Sequence, residues 1–69
     1  MENLEQDILK VVGMGAHNIH LIAMSLQEDY NITEISKITH RLLARDWLKY
    51  NERNRIVITE KGVSGGRKL

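Results

Sequence analysis

Apolar residues recur at spacings of three and four along the first two thirds of the chain, then give way to short runs of aromatic and β-branched residues. Leu4, Ile8, Leu9, Val11 and Val12 form the first stripe. Asn3, with Gln6 three residues on, has the capping-box pattern in which each side chain satisfies a free backbone donor at a helix start. Gly13-Met14-Gly15 supplies positions that tolerate a left-handed backbone, so the first helix is predicted to stop there. Asn18 is placed to cap a second helix with Ile19, Ile22, Ala23 and Leu26 on its apolar side, fading in Gln27-Glu28-Asp29-Tyr30. Asn31 and Glu34 repeat the capping-box spacing, and Ile35, Ile38 and Leu42, with Leu43 at the edge, predict a third helix reaching about Asp46.

Beyond that point the period changes. Trp47-Leu48-Lys49-Tyr50 and Arg55-Ile56-Val57-Ile58-Thr59 flank the polar stretch Asn51-Glu52-Arg53-Asn54, the signature of a two-stranded hairpin. The chain after Gly62 is basic and glycine-rich with little apolar content to pack. It is expected to be a flexible tail over 63–69, following one domain over 1–62. Three helices followed by a β-hairpin make an α+β, mostly α architecture: a winged helix-turn-helix with the hairpin as its wing.

Charge sharpens this picture. Residues 1–29 carry one base (Lys10) against five acids (Glu2, Glu5, Asp7, Glu28 and Asp29), a net −4. Residues 30–69 carry nine bases against four acids, a net +5, so one half of the molecule is predicted to face an anion. The acidic start lacks the basic and apolar regions of a secretory signal, and no stretch approaches the roughly 20 apolar residues of a membrane span. A cytoplasmic protein without membrane contact is expected. There is no cysteine to supply a disulfide, a thiolate or a thiolate metal site. His17 and His20 have a ligand-like spacing, but no nearby carboxylate completes a set, so neither metal nor cofactor is expected. With no nucleophile beside a plausible base and no paired carboxylates in a pocket, an enzyme is not expected either.

If the isoleucines of the third helix face inward, its other side presents Thr33, Glu34, Ser36, Lys37, His40 and Arg41. These hydrogen-bonding side chains suit a helix set into the DNA major groove, where base edges carry a distinguishable donor and acceptor pattern. Arg53 and Arg55 at the hairpin tip, with Lys49 at its base, suit adjacent phosphates or the minor groove. Trp47 is expected to pack rather than serve as a stacking platform, and Met14 and Met24 to fill gaps.

The run from Asn31 to Leu48 resembles the recognition helix of winged-helix regulators of the multiple-antibiotic-resistance (MarR) type: a polar cap, alternating hydroxyl and basic residues, then Arg-Leu, Ala-Arg and a small turn. Arg55-Ile-Val-Ile-Thr-Glu-Lys-Gly62 is similar to the close of that family's wing, and the resemblance covers roughly residues 19–62. It implies a sequence-specific, double-stranded DNA-binding regulator, with base reading on Thr33, Glu34, Ser36 and Lys37 and the wing arginine at Arg53 or Arg55. In that family a glycine is common where Asp46 stands, and a long C-terminal helix used for dimerisation follows the wing. That helix is not expected in the chain after Gly62, so a homodimer is expected through Leu4, Ile8 and Val11 of the first helix. The alternative is a winged-helix adaptor or inhibitor that binds protein rather than DNA, since fold does not dictate use.

Overall fold

A computed structural model of the protein describes residues 3–67. Three helices, α1 (Leu4–Gly13), α2 (Ile19–Leu26) and α3 (Ile32–Ala44), precede an antiparallel hairpin of β1 (Leu48–Tyr50) and β2 (Ile56–Ile58). A fourth helix, α4 (Glu60–Arg67), comes last. The layout is mostly helical α+β, with the hairpin in the position of a wing.

Local chemistry sets each helix start. The Oδ1 atoms of Asn3, Asn18 and Asn31 accept backbone N–H groups from Gln6, Leu21 and Thr33, satisfying donors that a helix leaves free in its first turn. At the end of α1, Gly13 is still helical and only Gly15 takes the left-handed backbone, with φ 120°. Side chains from all three helices and both strands then close one core: Ile8, Leu9, Val12, Ile22, Ala23, Leu26, Ile35, Leu42, Leu48 and Ile56. Burying a side chain of this kind contributes about 1.5–3 kcal/mol, which in so short a chain makes this single cluster the main source of stability.

Thr39 is buried among these apolar residues although it is polar. Its hydroxyl donates to the Ile35 carbonyl one turn back at 2.7 Å, which meets its hydrogen-bonding need inside its own helix. Met14 and Met24, expected as gap fillers, are instead among the exposed large apolar residues.

The hairpin pairs Leu48 with Ile58, Lys49 with Val57 and Tyr50 with Ile56, so its root lies at Leu48 and its tip at Tyr50. Two features bolt that root to the helices. Asp46 turns the chain out of α3 in the left-handed region (φ 64°), the conformation for which a glycine is suited. Thr59 then donates its hydroxyl to the Asp46 carbonyl at 2.6 Å, and the hydroxyl oxygen accepts Gly62 N–H at 3.0 Å, capping α4. The Thr59-Glu60-Lys61-Gly62 ending is therefore a helix start. On the free side of β2, Ile56 N–H donates to the His17 carbonyl at 2.7 Å, so the loop before α2 supplies a third-strand contact.

Residues 63–67, expected to belong to a flexible tail, continue α4; residues 68–69 lie outside the described residues. Scarcity of apolar side chains does not prevent packing here, because the helix approaches through its glycines. A Cβ on Gly62 would stand 2.2 Å from the Trp47 carbonyl oxygen, and one on Gly65 would stand 2.5 Å from the Trp47 ring. Only residues without a side chain let the backbone of α4 come this close to Trp47, whose indole packs against the core.

Candidate nucleic-acid interface

At about 100° per residue, burial of Ile35, Thr39 and Leu42 fixes which side of α3 is outward. Thr33, Lys37, His40 and Arg41 fall on the opposite arc, and Glu34 on its flank towards Ile38; all five are exposed. Ser36 lies on the other flank and is half-buried. Its carbonyl is hydrogen-bonded to His40 Nδ1 at 2.7 Å, so that imidazole lies along the helix rather than reaching straight out. The helix is 13 residues, about 20 Å long. An α-helix of this kind fits the roughly 12 Å width of a major groove.

A second group of cations sits on the hairpin. Lys49, Arg53 and Arg55 are exposed, and Asn51 shapes the turn that carries the two arginines. Its Oδ1 accepts both Arg53 N–H and Arg55 N–H, at 2.9 and 3.0 Å, while its backbone closes the turn with Asn54 and Arg55. Asn54 takes the left-handed φ of 61° that lets the strand return. Asn51 is thus a positioning residue, although the sequence pattern marks it only as polar loop. An Asn next to a strand end, able to mimic a backbone turn with its own side chain, was the available signal.

Five of the nine side chains expected at the interface fall into two clusters. Glu34, Lys37 and Arg41 line one groove together with Leu4 and Ile38, where the start of α1 lies against α3. Arg53 and Arg55 line the surface of the tip with Asn51 and Glu52. Electrostatically the clusters have one property in common. Among the described residues the one ion pair joins Arg45 to Glu5, at 3.1 Å, so Lys37, Arg41, Lys49, Arg53 and Arg55 carry charges that no carboxylate of the described residues neutralises at contact distance. A lone surface ion pair such as Arg45–Glu5 contributes about 0–1 kcal/mol. Arrays of unpaired cations instead raise the local potential felt by a polyanion.

Other expected features are placed differently. Of the three residues expected at a contact between copies, Ile8 is wholly inside the core, while Leu4 and Val11 are half-buried against it. His17 is half-buried with Nδ1 3.2 Å from the Gly15 carbonyl, and His20 is exposed. No helix among the described residues is long and apolar enough to cross a membrane. No protein-family model matches the chain, and no curated protein matches it.

Proposed function

We propose that this protein is a sequence-specific, double-stranded DNA-binding transcriptional regulator of the MarR-like winged-helix kind. In this reading α3 lies in the major groove and the hairpin on the adjacent backbone or minor groove. The observation that carries it is the outward arc of α3, on which Thr33, Lys37 and Arg41 stand exposed, the two cations paired with no carboxylate of the described residues. Donors on a helix of this size match the groove's acceptor-rich edges. The unpaired cations of the hairpin supply the sequence-independent attraction that sets register.

Each cation that neutralises a phosphate releases counterions, so binding weakens with salt in proportion to the number of contacts. Lys37→Ala combined with Arg55→Ala should therefore weaken duplex binding and flatten its salt dependence, the slope of log K against log salt falling by about 1 for the phosphate contact of Arg55. Fluorescence anisotropy on a labelled duplex at several salt concentrations measures both. Unchanged affinity in the double variant refutes the assignment of this surface. If the wild-type chain binds no random duplex at either low or moderate salt, the protein-binding adaptor takes the place of this reading.

A further inference from the structure

Glu34 is the only acid of α3, and its use is inferred within the DNA-binding reading, on which the inference rests. A carboxylate on a surface that meets phosphates is repelled by them, so its presence there calls for an offsetting contact. Two local uses of Glu34 are open from the sequence, and the structure makes neither. The capping box would send its carboxylate back to Asn31 N–H, yet the side-chain bond at this helix start runs only from Thr33 N–H to Asn31 Oδ1. An ion pair along the helix would join it to Lys37 or Arg41, which line the same groove, yet neither comes within contact distance. The carboxylate is exposed in the first turn of the outward helix, and no described residue donates to it.

The chemistry of the major groove narrows what such a group can meet. An ionised carboxylate only accepts hydrogen bonds. Guanine presents two acceptors there and thymine one, and both repel it. Adenine offers its amino group beside its own N7 acceptor, whereas cytosine carries an amino group and no acceptor of its own on that edge. We infer that Glu34 is a specificity-determining residue that accepts a hydrogen bond from the N4 amino group of one cytosine. It disfavours the other three bases at that position and indiscriminate binding to phosphate.

The test is selection of bound duplexes from a random pool by the wild-type chain, Glu34→Ala and the isosteric Glu34→Gln, with far-UV circular dichroism checking that each variant is folded. The wild type should fix one C·G pair, with a preference of about fivefold to a hundredfold over other pairs. Glu34→Ala should lose the preference at that position alone while binding random duplex more tightly. Glu34→Gln should admit adenine there, because an amide both donates and accepts. If Glu34→Ala selects the same bases at every position, or weakens all sequences alike, the residue serves only the helix and the inference is overturned. A wild-type chain that binds duplex without base preference also overturns it and leaves DNA binding standing. A wild-type chain that binds no duplex overturns the DNA-binding reading and takes this inference with it.

Discussion

Replacing Gly62 by alanine sets two effects of opposite sign against each other, and the geometry decides between them. In a helix interior, alanine is favoured over glycine by about 1 kcal/mol, so an exposed site should gain stability from the change. At Gly62 the new methyl would lie 2.2 Å from the Trp47 carbonyl oxygen and 2.8 Å from Ile58 Cγ1. Relief requires that carbonyl to recede by about 1 Å towards an ordinary contact distance. The same oxygen accepts Thr59 N–H at 3.0 Å, so the retreat also loosens the bond that holds β2 to the turn after α3. Overpacking costs about 1–3 kcal/mol, and the loosened hydrogen bond about 0.5–1.5 kcal/mol. Set against the propensity gain, the net expectation is a loss of about 1–3 kcal/mol. In a domain this small that corresponds to a fall in Tm of roughly 5–20 °C.

Gly13→Ala is the matched control. A Cβ there meets nothing within 4 Å and the backbone is not left-handed, so the same chemical change should raise stability by up to about 1 kcal/mol. Urea unfolding followed by far-UV circular dichroism measures both variants on one scale. The expected result is a midpoint that falls for Gly62→Ala and rises for Gly13→Ala. If both midpoints rise together, α4 does not dock on Trp47 through its glycines and the account of this helix is wrong.

Three other changes test separate links of the structure. Asp46→Gly should relieve the left-handed backbone at φ 64° and stabilise the chain by about 0.5–1 kcal/mol in the same urea assay; a lower midpoint would show that the aspartate side chain contributes something its backbone does not. Thr59→Val keeps the shape but removes the hydroxyl shared by the Asp46 carbonyl and Gly62 N–H, at an expected cost of about 1–2 kcal/mol; Thr59→Ser should restore most of it, and equal melting temperatures for valine and serine count against the cap. Asn51→Ala removes the acceptor for two turn N–H groups and should speed amide exchange at Arg53 and Arg55 with little effect elsewhere; unchanged exchange there means that the turn holds without it.

What could be read from the sequence was what short-range chemistry dictates. The three asparagine caps, the apolar stripes of the helices and the position of the hairpin each depend on residues within a few places of one another, and all three asparagines accept the expected kind of bond. The outward side of α3 followed from the same periodicity, because Ile35 and Leu42 are wholly buried. What escaped depends on neighbours distant in sequence or on groups that satisfy themselves. Thr39 reads as polar until its hydroxyl is seen turned onto its own helix. The glycine-rich stretch after Gly62 reads as unstructured because its packing partner, Trp47, lies more than ten residues earlier and fills space that side chains would otherwise occupy. Ile8 looked spare for a partner only while the depth of the core was unknown.

The double use of Thr59 also has a mechanical meaning. One hydroxyl anchors both the point where the hairpin leaves the body and the point where the chain re-enters a helix, so the two strands share a common pivot. Each strand is three residues, an arm of about 10 Å, and since Leu48 and Ile56 belong to the buried cluster and Ile56 N–H is bonded to the His17 carbonyl, only the turn over 51–55 that carries Arg53 and Arg55 projects beyond the packed part of the arm. Thr59 at the root and Ile56 near the tip thus act together to fix where the two cations stand, leaving their charge the same.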